Sequence, residues 1–226
     1  MSTRLIAAPE IYLDETTFLN ELAAMGITAV HEGFEDDAVW GGVRSPDTAP
    51  MVSSQGVNWS ANNLSSEITT GNGPALTGEF GFYSLPHGSY DNPDPGASCF
   101  NPEECGDGFR ATAITGAFIA HGGWIETNTP FAKLGIYLGN YPENPVDLGE
   151  TCDPPGSENC QGNDVLGTES KFFGVIDPAG FERIEYRELE GKLEPPGGAD
   201  KKYIFADDFY FSLGEGEKIF SDGFED

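Results

Sequence analysis

The sequence predicts an all-β fold, a two-sheet β-sandwich of the jelly-roll type with one short N-terminal helix. Gly 30 and Pro 16 together make about a fifth of the 226 residues, which argues against a helical bundle. Short runs of β-branched and aromatic residues alternate with clusters of Gly, Asn, Pro and Asp along most of the chain. Hydrophobic residues account for 38% of the chain, so a sizeable core can form.

The helix is predicted close to the start of the chain. Asp14 is a candidate N-cap for a segment from Glu15 to about Met25. Phe18 and Leu22 are four residues apart and therefore lie on one face of such a helix. Gly26 supplies the stop signal, and no second segment shows a helical pattern of comparable quality.

From Ile27 onward the patterning is that of strands separated by polar turns. We find no internal repeat. The predicted strands are Gly56–Ser60, Gly78–Ser84, Arg110–Ile119, Lys133–Leu138, Lys171–Ile176, Phe181–Leu189 and Tyr203–Leu213.

The last predicted strand contains the adjacent acids Asp207 and Asp208. Because side chains alternate along a strand, one of these acids points along an otherwise aromatic face. A buried carboxylate needs a partner, and calcium, backbone N–H groups and arginine are the alternatives. Strict alternation places Tyr203, Phe205, Asp207, Phe209 and Phe211 on one face.

Three regions are predicted along the chain. Residues 1–29 form an N-terminal strand and short helix packed on the sandwich, residues 30–213 form the sandwich, and residues 214–226 form an acidic tail. Two long segments without strand patterning, 86–107 and 139–166, each contain one pair of cysteines.

The four cysteines fall as two close pairs, Cys99 with Cys105 and Cys152 with Cys160. We expect a disulfide within each pair, because zinc sites favour CxxC spacing and histidine ligands that these segments lack. Disulfides imply an oxidising compartment, so we expect a secreted, extracellular protein in its mature form, with its signal peptide absent from this chain.

The charge balance limits the classes of partner. Eleven Lys and Arg against 38 Asp and Glu give a net charge of −27. This charge excludes nucleic acid and anionic membranes as partners, and it counts against polyanionic glycans. No apolar run approaches the length of a spanning helix, so no membrane insertion is expected.

A glycan-binding site is predicted around Trp124. In HGGWIETNTP, alternation places Trp124, Glu126 and Asn128 on one face, where an aromatic ring stacks on a sugar and polar groups bond its hydroxyls. The adjacent His121 belongs to the same candidate surface. His87 and Tyr90, in one of the cysteine-bearing segments, extend it. The alternative for Trp59 and Trp124 is a place in the core, which we favour for Trp59.

Few features of the sequence favour catalysis. His87 with Tyr90, or His121, could abstract a proton in a polysaccharide lyase, but no Lys or Arg lies nearby to neutralise a uronate. His31 is expected to be an exposed residue rather than a general base. The sequence contains neither a GxSxG nor an HExxH motif.

Several short motifs carry a resemblance over roughly residues 14–213. The motifs are TTFLNELAAMGITAVHEGFEDD, GVNWSAN, FFGVIDPAGFERIEYRELEG and YIFADDFYF. They resemble secreted bacterial jelly-roll β-sandwich proteins of the PEP-CTERM-associated type, which are similar to calcium-binding carbohydrate-binding modules. The resemblance implies a structural calcium held by Glu35 and by Asp207 or Asp208. The tail EKIFSDGFED resembles the endings of some exported proteins but lacks the hydrophobic segment of a sorting signal.

These observations predict an extracellular, non-catalytic, calcium-stabilised β-sandwich that recognises carbohydrate or a cell-surface polymer. Two alternatives remain open. One is a structural protein that self-assembles into a matrix, filament or surface layer, and the other is a polysaccharide lyase or hydrolase.

Overall fold

The computed structural model describes residues 9–61, 67–73, 75–85, 108–127, 133–139, 146–152, 170–189 and 204–214. Within these ranges the predicted all-β sandwich is confirmed, because nearly all regular structure lies in two antiparallel sheets. Several predicted site residues lie outside the described residues: His87, Tyr90, Asn128, Cys99, Cys105 and Cys160, as do residues 215–226 of the tail. Cys152 ends a described strand, but its side chain is not described, so both disulfides remain predictions.

The helices are α1 (Glu15–Ala24) and α2 (Asp37–Trp40), and a 3-10 turn follows at Gly41–Val43. The strands are β1 (Glu10–Tyr12), β2 (Val30–Glu32), β3 (Met51–Ser54), β4 (Val57–Ala61), β5 (Ile68–Gly71), β6 (Gly81–Ser84), β7 (Gly108–Ala113), β8 (Ala117–Thr127), β9 (Lys133–Leu138), β10 (Val146–Cys152), β11 (Lys171–Phe181), β12 (Arg183–Leu189) and β13 (Ile204–Gly214).

The strands form a seven-stranded and a six-stranded sheet. The first has the order β1-β11-β8-β13-β6-β5, with β2 paired to β13, and the second has the order β10-β9-β12-β7-β4-β3. An aromatic core fills the space between the sheets, and its largest members include Trp40, Trp59 and Tyr186. The predicted core position of Trp59 is therefore confirmed.

Helix α1 forms where its sequence signals predicted. The Asp14 side chain caps it by accepting a hydrogen bond from the Thr17 backbone N–H at 2.7 Å. The chain leaves the helix through Gly26, whose φ of 74° suits glycine. Phe18 and Leu22 are buried against the outer face of the seven-stranded sheet, so α1 covers part of that face. Within the described ranges, no helix has the length and hydrophobicity needed to cross a membrane.

Two sheet glycines make room for the helix. Gly174 on β11 pairs with Gly122 on β8, and a Cβ at Gly174 would lie 2.7 Å from the Phe18 ring. A Cβ at Gly122 would lie 2.8 Å from the Gly174 Cα. Both distances are below ordinary van der Waals contact, so a side chain at Gly174 would push Phe18 and the helix away from the sheet, and one at Gly122 would push β11 away from β8.

The strict alternation predicted for the last strand is wrong beyond Asp207. The four residues of β13 from Asp207 to Tyr210 lie opposite only three residues of β8, Trp124 to Gly122, so the strand contains a β-bulge. Asp208 occupies this bulge with a φ of 47°. The extra residue reverses the pattern, so that Phe209 and Phe211 point into the core. Tyr210 instead packs on the outer face.

Replacing Gly174 by alanine tests the contact between helix and sheet. We expect Gly174→Ala to lower the free energy of unfolding by about 1–3 kcal/mol, because the added methyl group overlaps the Phe18 ring. Chemical denaturation measures the change. Gly42→Ala is the control, since a Cβ there meets no heavy atom within 4 Å. Equal stabilities of the two variants would contradict close packing of α1.

Candidate functional site

Partly exposed aromatic side chains lie together on the outer face of the seven-stranded sheet. Trp124 on β8 is paired with Asp207 on β13, and Tyr210 is paired with His31 on β2. Both rings are half-buried at the margin of the apolar cluster under α1. We call Trp124, Tyr210 and His31, with the carboxylates of Glu15 and Asp208, the outer aromatic cluster.

The Glu15 carboxylate connects the two largest rings of this cluster. Its Oε2 accepts a hydrogen bond from the indole Nε1 of Trp124 at 3.0 Å, and the Tyr210 hydroxyl also bonds to Glu15. Glu15 reaches both rings because it is the first residue of α1, directly after the Asp14 cap. The docking of the helix therefore fixes the orientation of Trp124 and Tyr210.

His31 holds Tyr210 from the other side. The two rings stack with their centroids 4.7 Å apart and an interplanar angle of 25°. His31 Nε2 lies 2.8 Å from Asp208 Oδ1, which also accepts a hydrogen bond from the Thr77 hydroxyl at 2.9 Å. The His31 side chain is 48% exposed, as expected from the sequence, so one face of this stack meets solvent.

The electrostatic environment of the cluster is negative. Burial is the largest effect that raises the pKa of Tyr210 well above its usual range. The hydrogen bond and charge of Glu15 raise this pKa further, as do the charges of Asp208 and Asp207. An additional negative charge on Tyr210 is thus strongly opposed, and a positive charge beside it would be favoured.

The buried acids of β13 find their partners in the segment 75–80. Asp207 Oδ2 accepts hydrogen bonds from the backbone N–H groups of Leu76 at 2.7 Å and Thr77 at 3.1 Å. Asp207 Oδ1 accepts from the N–H of Asp208 at 2.8 Å. The sequence left calcium, backbone N–H groups and arginine open as partners of the buried acid. In the structure, Asp207 bonds backbone N–H groups.

Glu35 bonds the same segment rather than the other acids. Its Oε1 accepts from the backbone N–H groups of Glu79 at 2.7 Å and Phe80 at 2.8 Å. In the part of the chain that the structure describes, no three His, Cys, Asp or Glu side chains form a group that could hold a metal ion. Glu35 and Asp207 thus bond backbone N–H groups in this structure, and the calcium ion that the resemblance assigns to Glu35 and Asp207 or Asp208 stays a prediction.

The candidate ligand residues from the sequence separate into two groups. Trp124 and Glu126 share the outer face, and Glu126 accepts a hydrogen bond from the Ser170 hydroxyl at 2.6 Å. His121 is fully buried between the sheets, with Nδ1 3.1 Å from the Tyr186 hydroxyl oxygen. Burial lowers its pKa to about 3, so in this structure His121 is a neutral core residue outside the surface site.

Sequence reasoning missed Tyr210 and Glu15 as members of this site. The alternation rule grouped Tyr210 with Ile204 and Ala206, which the structure places in the core, because the bulge at Asp208 has no local sequence signature. Glu15 was recognised only as a residue of the first helical turn. One signal in the sequence did indicate its position. Glu15 lies three residues before the buried Phe18, so the two side chains are on the same side of the helix.

Comparisons with known proteins give remote structural likenesses. No family model matches the chain, and no characterised protein matches it significantly in sequence. The structure of TmCBM61 in complex with β-1,4-galactotriose has 14% identity and a TM-score of 0.36, covering 81% of this chain and 99% of that one. A family 29 carbohydrate-binding module has 10% identity and a TM-score of 0.40, covering 84% and 92%. At these TM-scores the likenesses carry no functional argument.

The buried Asp207 gives the stability a defined pH dependence. Burial raises its pKa from 3.8 to about 6, against the hydrogen bonds from Leu76, Thr77 and Asp208, which lower it. The folded state thus binds this proton more tightly than the unfolded chain. Protonated Asp207 therefore contributes to the free energy of unfolding. This contribution is full below about pH 4 and is lost as the pH rises through about 6.

The variant Asp207→Asn removes this titration while keeping one acceptor oxygen. We expect the difference in Tm, wild type minus variant, to fall as the pH rises from about 4 to about 6. Thermal unfolding followed by circular dichroism at several pH values measures this difference. Parallel curves for the two proteins would contradict the raised pKa.

Proposed function

We propose that the protein is an extracellular carbohydrate-recognition module and that the outer aromatic cluster binds the sugar. The observation that carries this proposal is the pair of half-buried rings, Trp124 and Tyr210, held by one carboxylate on a sheet face beside α1. Aromatic rings stack on the apolar faces of sugars, and carboxylates accept hydrogen bonds from sugar hydroxyls.

The rigidity of the cluster supports binding. Glu15 holds the polar ends of Trp124 and Tyr210, and His31 covers one face of the Tyr210 ring. Side chains fixed before binding lose little conformational entropy when a ligand arrives, so more of the contact energy remains as affinity. A general surface patch of flexible side chains would lack this advantage.

The core position of His121 weighs against its use as a base. A catalytic base must reach the proton that it abstracts, and His121 is fully enclosed by aromatic side chains of the core. The carbohydrate-recognition proposal therefore involves no chemistry at this residue.

Loss of the Trp124 ring is the direct test of the site. We expect Trp124→Ala to weaken binding of a neutral or amino-substituted polysaccharide by at least about tenfold, because buried aromatic contacts dominate small interfaces. A panel of polysaccharides followed by titration calorimetry on the best ligand measures the change.

Tyr137→Ala is the matched control for this test. Tyr137 lies on β9 of the opposite sheet and is also partly exposed, so its truncation removes an aromatic ring without affecting the cluster. Tyr137→Ala should leave binding unchanged. Loss of binding in this variant with full binding by Trp124→Ala would move the site to the six-stranded sheet and overturn the proposal.

Calcium remains part of the proposal on the strength of the sequence resemblance. If calcium stabilises the fold, EDTA will lower the Tm, and added calcium will restore it. An unchanged Tm would remove calcium from the account and leave the outer aromatic cluster as described. Differential scanning calorimetry with and without the chelator distinguishes the two outcomes.

A further inference from the structure

The hydrogen-bond donors of the cluster are already engaged within the protein. The Trp124 indole N–H and the Tyr210 hydroxyl both donate to Glu15. In the described part of the chain, the partners of Glu15 and Asp208 are Trp124, Tyr210, His31 and Thr77, and none of these carries a fixed positive charge. A ligand therefore meets partly exposed aromatic rings and the partly exposed carboxylate of Glu15, while Asp208 is buried behind them.

This combination is selective for positive charge. The faces of aromatic rings attract cations, most strongly for tryptophan. Beside burial, the charges of Glu15, Asp208 and Asp207 raise the pKa of the Tyr210 hydroxyl, so negative charge surrounds this ring. Each ionised carboxylate also has capacity for several hydrogen bonds, so existing donors do not saturate it.

The charge of the whole molecule acts in the same direction. A net charge of −27 attracts cationic ligands and repels uronates and sulfated sugars. Long-range attraction raises the rate of encounter, but it does not select one surface site over another. Selectivity has to come from the contacts within the cluster.

We propose that the outer aromatic cluster binds a protonated amino sugar, with the ammonium group near Glu15 and the apolar face of the sugar on Trp124. This proposal rests on the carbohydrate recognition proposed above and narrows it to a ligand class. The relevant ligands are glucosamine-type oligosaccharides, whereas N-acetylated, neutral and acidic sugars lack the required charge.

A matched pair of oligosaccharides isolates the amine. We would titrate the wild-type protein with a β-1,4-linked glucosamine hexamer and with its fully N-acetylated counterpart, at physiological salt and at a pH where the amines are protonated. We expect the amino form to bind at least about tenfold more tightly, since only it can pair with the carboxylates. A lysine hexamer serves as a cation without sugar rings and should bind more weakly than the amino sugar.

The variant Glu15→Gln separates charge from position. Glutamine keeps an acceptor oxygen for the Trp124 N–H and removes one negative charge, so we expect the preference for the amino form to shrink severalfold. Glu21→Gln is the matched control, because Glu21 is an exposed acid on the same helix that bonds to neither ring.

The outcomes distinguish this proposal from the broader one. Equal affinity for the two hexamers would overturn the amino-sugar preference and leave carbohydrate recognition standing. Failure of every tested sugar to bind the folded protein would overturn both. Two further results would assign the preference to general attraction by an acidic surface and would also overturn the amino-sugar proposal. One is an equal effect of Glu15→Gln and Glu21→Gln, and the other is binding of the lysine hexamer as tight as that of the amino sugar.

Discussion

The bulge at Asp208 is the constraint on which the rest of the outer face depends. A non-glycine residue at a φ of 47° costs on the order of 1 kcal/mol, and this conformation persists only where surrounding contacts hold it. Here the contacts are the His31 and Thr77 hydrogen bonds to Asp208 and the N–H of Asp208 bonded to Asp207. The bulge turns Tyr210 outward and returns Phe209 to the core.

A second requirement is the seating of α1. Phe18 fits against the sheet because Gly174 carries no side chain, and this seating brings Glu15 to the indole of Trp124. The bulge and the helix come from opposite ends of the chain, yet they meet at one tyrosine hydroxyl. The same contacts that stabilise the sandwich thus also orient the rings of the proposed site, which links folding to recognition.

The sequence revealed those features whose signals are local. The capping Asp14, the stop at Gly26 and the phase of Phe18 and Leu22 predicted α1 almost to the residue. The buried position of Trp59 followed from its place in a short alternating strand. The overall sandwich followed from turn residues and strand patterning, which do not depend on distant contacts.

Features set by tertiary contacts were not readable in this way. Alternation alone could not reveal that one extra residue at Asp208 would reverse the face of Tyr210. The core position of His121 also escaped prediction, because a polar residue followed by two glycines resembles a surface turn until its partner Tyr186 is known. The acids of β13 needed a partner, and only the fold identified the N–H groups of Leu76 and Thr77.

The most direct test of the account observes Trp124 itself. The chain has three tryptophans, and Trp40 and Trp59 are fully buried. In a nitrogen-edited NMR titration with the glucosamine hexamer, the indole N–H signal of Trp124, assigned through Trp124→Phe, should shift in step with saturation, while the other two indole signals stay in place. Saturable binding that leaves the Trp124 signal unmoved would contradict the claim that this cluster recognises the sugar.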